Sequence, residues 1–289
     1  MKTLIFILFI IVLSFSSCKK SHPLQVDDYP IRTGDSWTYR FTFATYNFRP
    51  TVPGATFPTD TVVFTSTVFN RGKGWLNDSV QAWKFQCDGY FASSSDTFFS
   101  RSYNYYQKIK DTLRIVAYSG GSSLPMPKFN SSAYICTFHN KIYPSLHALF
   151  AELRGERINS ITADTAINYE ERPPKAFVFP LKKGNEWDYR KRGFLFNIHK
   201  KVLGTEIIQI PYGEIKTNKI QWFWDRDDNG VYEEYQVGYD YVTDDGLLKR
   251  EFIFLNIGIS DENHPDGQGL IDISETYELI STNSKTFFY

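Results

Sequence analysis

The sequence predicts an all-β protein with one or two short helices, built from two similar β halves. Aromatic residues make up 17% of the 289 residues, and such residues favour pleated, half-buried surfaces. Apolar alternation recurs in short runs separated by turn residues, whereas helical periodicity is scarce. A segment of twelve residues beginning at position 29 also recurs at position 179. This repeat predicts two related halves, 29–118 and 177–289, joined by a mixed linker.

The repeated segment opens each predicted half. Residues 29–40 and 179–190 share Pro, Gly, Trp, Tyr and Arg at matching positions. Each copy predicts a Pro-bounded extended segment, a turn at Gly-Asp or Gly-Asn, and then a strand. Its Trp and Tyr are two residues apart, so they face the same side of that strand. We expect Trp37 and Trp187 to fill the core, and the alternative is that they form a ligand platform.

The other elements follow in chain order. The first half predicts five strands and the second half six. The linker contains the best helix candidate, from Pro144 to Arg154, where Ser145 is placed to cap the N terminus and four apolar residues fall on one face. Strands are predicted over 38–48, 61–69, 80–87, 97–107, 112–118, 186–196, 201–210, 217–224, 231–237, 247–256 and 271–280.

The N-terminal residues predict export and a lipid anchor. Residues 1–17 have the charged start, apolar run and small-residue end of a signal peptide. The apolar run is about a dozen residues, shorter than the roughly 20 that a membrane-spanning helix needs. Phe15-Ser16-Ser17-Cys18 resembles the lipobox of bacterial lipoproteins. The resemblance implies that Cys18 is lipidated and becomes the first residue of the mature chain, and the alternative is an ordinary signal peptide with a cysteine nearby by chance.

A lipidated Cys18 implies a location in the bacterial cell envelope. Several acyl chains hold a protein firmly on a membrane, whereas one chain binds marginally. We expect attachment to the outer membrane, with residues 18–28 as a short flexible tether.

A second resemblance concerns the folded part. Residues 30–39 carry a Pro-x-x-x-Gly-x-x-Trp-x-Tyr pattern that resembles the opening of a family of uncharacterised secreted bacterial lipoproteins. The segments 210–213 (Ile-Pro-Tyr-Gly) and 245–249 (Asp-Gly-Leu-Leu-Lys) stand where that family has a Val-Pro-Ala-Gly-like turn and a Gly-Leu-Val-Lys-like strand. The resemblance covers about half of the mature chain. It implies a curved antiparallel sheet or an open half-barrel like those of lipoprotein carriers, and it brings no catalytic residues.

Charge and cysteine content narrow the possible partners. The 32 basic residues balance the 32 acidic ones, and a nucleic-acid partner would require a basic surface. Beyond Cys18, the chain has Cys87 and Cys136. In an oxidising compartment they either form a disulfide or remain free as small buried hydrophobes.

An acidic segment is the sharpest local signal for a ligand. Asp225, Asp227 and Asn229 place oxygen-bearing side chains at alternate positions, which is similar to the start of a calcium loop. The twelfth position of such a loop is Gln236 rather than Glu. The alternative is a simple hairpin turn at Asn229-Gly230. Calcium is the one cofactor that the sequence suggests.

Catalytic signatures are missing from the sequence. It contains no Gly-x-Ser-x-Gly elbow, no His-Glu-x-x-His motif and no Gly-rich phosphate loop. We therefore expect a non-enzymatic, lipid-anchored envelope module that binds an apolar or amphiphilic ligand or an envelope partner. One alternative is a glycan-binding or adhesion module in which Trp222, Trp224 and Tyr232 stack on sugars. A second alternative is a hydrolase built from converging carboxylates.

Overall fold

The computed structural model describes residues 26–92, 97–119, 135–155, 167–191, 196–211, 213–262, 264, 265 and 267–284. These residues form one open, curved antiparallel sheet of 15 strands and one short helix. The all-β prediction is therefore confirmed. The elements are β1 Ser36–Pro50, β2 Thr61–Leu76, β3 Val80–Ala92, β4 Thr97–Ile109, β5 Thr112–Ser119, β6 Ile135–Phe138, β7 Lys141–Tyr143, α1 Leu146–Arg154, β8 Ile167–Tyr169, β9 Lys175–Val178, β10 Glu186–Arg190, β11 Asn197–Ile210, β12 Gly213–Asp225, β13 Gln236–Thr243, β14 Gly246–Ser260 and β15 Gly269–Thr282.

Two up-and-down series of strands meet in the middle of the sheet. Strands β1 to β5 follow in order on one side and β15 to β10 on the other, and β15 pairs with β1. This central pairing runs from Trp37 opposite Thr282 to Pro50 opposite Gly269. The hairpin β6–β7 extends β14, while β8 and β9 both pair with β5.

The antiparallel order places the strand connections at two opposite ends. At one end, Leu76 pairs with Val80 where β2 turns into β3, and Ile109 pairs with Thr112 where β4 turns into β5. The β11–β12 and β13–β14 turns lie there too. Val26, the first described residue, bridges to Leu181 at the same end. We call this the N-terminal end, and the opposite end, with connections 51–60, 226–235 and 261–268, the distal end.

The predicted strands all overlap observed ones, and the differences are at their limits. Most observed strands are longer than the predicted ranges. The predicted strand 231–237 is the least accurate, because residues 226–235 form a long connection and β13 begins at Gln236. The linker also contains the short strands β6 to β9, which the sequence did not reveal.

Helix α1 fills the distal part of the concave face. As predicted, the Ser145 side chain caps it by accepting the N–H of Ala148 at 3.2 Å, and Gly155 ends it with a φ of 68°. Its apolar face is fully buried: the Phe150 ring lies 5.5 Å from that of Phe43 on β1 and 5.3 Å from that of Phe254 on β14. No helix in the described ranges has the length and apolarity required to cross a membrane.

The two repeated tryptophans lie in the core. Trp37 and Trp187 are 1% and 6% exposed. Each indole N–H donates to a carbonyl oxygen, that of Trp37 to Asp245 at 2.8 Å and that of Trp187 to Lys175 at 2.9 Å. Their buried position agrees with the expected core role and rules out a surface platform at these two sites.

The two margins of the curved sheet approach each other at β10 and β9. No strand pairing links these two strands in the described part of the chain, but side chains cross the gap. Arg190 forms two hydrogen bonds, 2.8 and 2.9 Å long, to the carboxylate of Glu170, and both side chains are buried. The bond from Trp187 on β10 to Lys175 on β9 adds to them. We call this contact the seam.

Candidate functional site

The predicted aromatic platform does not form at the surface. Trp222 and Trp224 are 2% and 0% exposed, whereas Tyr232 is 38% exposed. Both indoles lie on the inward face of β12, stacked with a centroid separation of 6.2 Å. Tyr232 instead contacts the outward Phe223. The three rings therefore lie on opposite sides of the sheet, and the expectation that they stack together on a sugar is wrong.

The acidic segment forms a loop whose own side chains accept hydrogen bonds from its backbone N–H groups. The Asp225 carboxylate accepts the N–H groups of Asn229 at 3.2 Å and Gly230 at 2.8 Å. The Asn229 side chain in turn accepts the N–H of Val231. The alternative prediction, a tight hairpin turn at Asn229-Gly230, is wrong, because the connection from Asp225 to Gln236 is too long for it. Among the described residues no group of three His, Cys, Asp or Glu is placed to hold a metal, so the calcium prediction for Asp225, Asp227 and Asn229 gains no support.

The two cysteines of the folded part, one on β3 and one on β6, are buried and are not joined by a disulfide. The disulfide alternative for Cys87 and Cys136 is therefore not realised. Burial raises the pKa of the Cys87 thiol to about 12, against the opposing effect of its contact with Asn104. Burial likewise raises the pKa of Cys136 to about 12. Cys18, the predicted lipidation site, lies outside the described residues.

A small cavity of about 70 Å³ lies inside the sheet near the N-terminal end. Trp37, Leu113 and Leu247 line it, and each is the second residue of its strand at that end. Typical ligand pockets measure about 300–1,000 Å³, so this cavity is too small for an acyl chain. An acyl-chain ligand therefore gains no support from this cavity. The lining comprises Tyr29, Trp37, Tyr39, Val68, Phe85, Cys87, Asn104, Tyr106, Leu113, Ile115, Ala176, Phe177, Tyr189, Lys200, Leu247 and Arg250.

Three charged side chains meet beside this cavity. Lys200 on β11 donates to Oδ2 of Asp240 on β13 at 3.1 Å. Arg250 on β14 donates to the same carboxylate through Nε at 2.5 Å and Nη2 at 3.2 Å. The side chains of Lys200, Asp240 and Arg250 are 1%, 0% and 11% exposed. Lys200 and Arg250 line the cavity, and Asp240 lies behind them.

Burial and the neighbouring charges determine the charge of this cluster. Lys200 Nζ lies 3.7 Å from the centroid of the Trp222 ring and 4.7 Å from that of Tyr189. Burial lowers the pKa of Lys200 to about 7, against the attraction of Asp240 and with a smaller contribution from Arg250. Burial alone would raise the pKa of Asp240, but Arg250 and Lys200 outweigh it and hold that pKa below its ordinary value.

The cluster retains unused hydrogen-bond donors. A lysine ammonium has three N–H groups, and those of Lys200 have two acceptors, the Asp240 carboxylate and the carbonyl oxygen of Ala176 at 3.2 Å. Nη1 of Arg250 has no acceptor among the described residues. Two cations share one carboxylate, so the site carries an excess positive charge whenever Lys200 is protonated.

Sequence reasoning missed this cluster, although one signal was present. Lys200 occupies an inward position of β11 between Ile198 and Val202, which are both buried. A charged residue in an apolar alternation indicates a buried polar site. Its partners were not recognisable, because only the strand register places Asp240 directly opposite Arg250.

Comparisons with known proteins give two distant structural similarities. No protein-family model matches the sequence, and no curated protein matches it. A candidate exported protein with a YmcC-like fold from Bacteroides fragilis NCTC 9343 is 11% identical with a TM-score of 0.35, over 89% of this chain and 99% of that one. A candidate lipoprotein from Parabacteroides distasonis ATCC 8503 is 14% identical with a TM-score of 0.30, over 88% of this chain and 98% of that one. TM-scores at this level assign neither a family nor a function.

Proposed function

We propose that the protein is a lipid-anchored, non-enzymatic β-sheet module of the bacterial envelope that binds the anionic head of a compact amphiphile in the cavity beside Lys200 and Arg250. The observation that carries this proposal is that two largely buried basic side chains, Lys200 and Arg250, share one carboxylate, that of Asp240. Buried charges are stable only when they are paired and hydrogen-bonded. A bound anion would provide the missing partner.

The size and lining of the cavity define the ligand class. A carboxylate accepts hydrogen bonds from both an ammonium and a guanidinium, so it matches the unused donors of Lys200 and Arg250. The aromatic wall, including Tyr29 stacked on Phe177 at 5.4 Å, suits a short apolar body. In the measure used for such cavities a water molecule needs about 10–15 Å³, so about 70 Å³ accommodates a group of only a few non-hydrogen atoms.

The predicted lipid anchor supports an amphiphilic ligand. Val26 is fully buried at the N-terminal end, eight residues after Cys18. An extended chain spans at most about 3.6 Å per residue, so eight residues reach about 29 Å. A lipidated Cys18 would therefore hold the cavity within a short distance of the membrane, where amphiphiles concentrate.

The chemistry of the lining supports binding rather than catalysis. No Asp or Glu is among the described residues that line the cavity. Burial raises the pKa of Tyr39 and of Tyr106 well above the ordinary value, so both phenols stay protonated. The Cys87 thiol is also protonated at neutral pH, whereas nucleophilic cysteines act as thiolates. The hydrolase alternative would require two carboxylates in the same cleft.

Calorimetric titration with butyrate tests the ligand site. Full-length protein at pH 7.5 is titrated with butyrate in two buffers that differ in ionisation heat, with butanol as the uncharged probe. We expect butyrate to bind and butanol not to bind. Binding should also take up protons, because an anion beside Lys200 raises its pKa from about 7.

Matched variants make the titration specific. Lys200→Met leaves the Arg250–Asp240 pair balanced, and we expect it to weaken butyrate binding at least tenfold. Lys201→Met changes the neighbouring lysine, whose side chain is 44% exposed, and should bind normally. The proposed ligand site is wrong if butyrate gives no heat, or if both variants bind it as the wild type does.

A further inference from the structure

Three hairpin tips at the N-terminal end present exposed apolar side chains. Trp75, Ile109 and Ile207 are 66%, 45% and 62% exposed. Each has lysine beside it: the neighbours are Lys73 for Trp75, Lys108 and Lys110 for Ile109, and Lys216, directly paired with Ile207. Apolar or aromatic side chains flanked by lysine are typical of segments that rest in a membrane interface.

The strand register brings these tips to the same end as the start of the described chain. Trp75 immediately precedes the β2–β3 turn, and Ile109 immediately precedes the β4–β5 turn. Ile207 lies on the arm formed by residues 202–217 of β11 and β12. This arm extends beyond the pairing of β11 with β10, which stops at Lys201, and beyond that of β12 with β13, which stops at Asn218.

The distal end is the more acidic of the two, because the segments at the N-terminal end, namely 26–35, 77–79, 110–111, 179–185, 211–212 and 244–245, carry a net charge of −3 in total. Loop 226–235 contains one basic and four acidic residues, a net charge of −3, and loop 261–268 contains three acidic residues and no lysine or arginine, also −3. An anionic membrane surface attracts lysines by about 1 kcal/mol each and repels such acidic loops. The charges therefore favour an orientation with the N-terminal end toward the membrane.

We infer that the N-terminal end is a membrane-contact surface, in which the tips bearing Trp75, Ile109 and Ile207 rest in the interfacial layer of the anionic bilayer. This inference rests on the proposed function, because the bilayer concerned is the one that holds the acyl chains of Cys18. Val26 is eight residue steps from Cys18, which confines the domain to about 29 Å from the bilayer surface. Within that distance, contact of the three apolar tips with the bilayer would fix the orientation of the tethered domain.

Fluorescence of Trp75 provides a native reporter of this contact. Among the described tryptophans, Trp75 is exposed, Trp83 is half-buried, and the others, Trp37, Trp187, Trp222 and Trp224, are buried. Full-length lipidated protein is reconstituted in phosphatidylethanolamine–phosphatidylglycerol vesicles, with or without bromine on the acyl chains. We expect brominated lipid to quench the wild type and to have at least twofold less effect on Trp75→Phe. Equal quenching of the two proteins would overturn the inference.

Substitutions at the two ends supply the matched control. Ile207→Asp should reduce Trp75 quenching at least twofold, because it places a carboxylate against anionic lipid. Val231→Asp changes a residue that is 68% exposed at the distal end and should leave quenching unchanged. Equal effects of the two substitutions would contradict an oriented contact.

Mass spectrometry of the N-terminal peptide separates this inference from the proposal on which it rests. Acyl chains on Cys18 together with an unquenched Trp75 would overturn the membrane contact alone. An unmodified Cys18 would overturn the proposed anchor, and the contact with it.

Discussion

Lys200 is a buried ammonium whose carboxylate partner, Asp240, is also bound by Arg250. Its surroundings are mostly rings, and the face of Trp222 lies 3.7 Å away. Such rings attract a cation but do not replace the water that burial removes. The low pKa of Lys200 follows from this shortfall, and it makes the residue sensitive to any anion that enters the cavity.

The lowered pKa of Lys200 predicts a pH dependence of stability. Between about 7, its pKa in the fold, and 10.5, the ordinary value, the unfolded chain binds more protons than the folded chain. The free energy of unfolding should therefore rise with pH in this window, by at most about 1.4 kcal/mol per pH unit. Urea unfolding at pH 7.5 and 8.5 should show this rise in the wild type and not in Lys200→Met.

The chosen pH range avoids an opposing contribution. The raised pKa values of Cys87 and Cys136 reduce stability as pH rises above about 9, because the unfolded thiols ionise first. The same slope in the wild type and in Lys200→Met would show that Lys200 does not titrate between pH 7.5 and 8.5.

At the level of single elements, α1 is held in place by its contacts with the sheet. The indole N–H of Trp224 on β12 donates to the carbonyl oxygen of Leu153 at 2.7 Å. This bond holds the C-terminal turn of α1 against the sheet. Arg154 adds a buried ion pair to Glu275 of β15 at 2.8 Å. A helix of nine residues is marginal by itself, so these tertiary contacts hold it in place.

Two substitutions in or beside α1 separate its capping from its packing. Leu149→Ala removes a fully buried side chain and should lower the free energy of unfolding by about 2–5 kcal/mol. Ser145→Ala removes the hydrogen bond to Ala148 and should cost about 1 kcal/mol. Both are measurable by urea unfolding. A cost for Ser145→Ala that equals or exceeds that of Leu149→Ala would mean that α1 is not held by packing.

At the level of the whole molecule, the seam completes the enclosure of the interior without strand pairing. Its main fastening is the ion pair of Arg190 with Glu170, whose side chains are 5% and 2% exposed. Lys200 also crosses it, donating to the carbonyl oxygen of Ala176. Side-chain bonds therefore hold together the two margins of a sheet that elsewhere relies on backbone hydrogen bonds.

Breaking the seam should destabilise the fold strongly. Glu170→Ala leaves the Arg190 guanidinium buried without its partner, which typically costs about 3–5 kcal/mol. The control is Glu186→Ala on β10, the strand that also carries Arg190. It removes an exposed partner of Lys201 and should change the free energy of unfolding by at most about 1 kcal/mol. In Glu170→Ala, amide hydrogen exchange should accelerate more in β10, at the seam, than in the central strand β15. Similar losses for the two variants would show that the seam contributes little.

The strands and the helix were predictable because their signals are local. In β1 and β2, inward and outward residues alternate over most of their length, and α1 carries its own cap residues. The start of β13 was not predictable, because the Asp225 side chain replaces strand pairing with bonds to loop N–H groups. The cluster at the cavity was not predictable either, because it depends on strand register, which brings Lys200 together with Asp240, 40 positions later, and Asp240 together with Arg250, 10 positions after that.

The central position of β1 has a mechanical consequence. β1 begins beside the N-terminal end and is paired with β15 on one side and β2 on the other. If the chain is held at Cys18 while a partner pulls on the distal end, the tension runs along β1. Such a force loads both ladders in shear, so their hydrogen bonds must yield together rather than one after another. Under such a force, β1 would leave the sheet only after both ladders break.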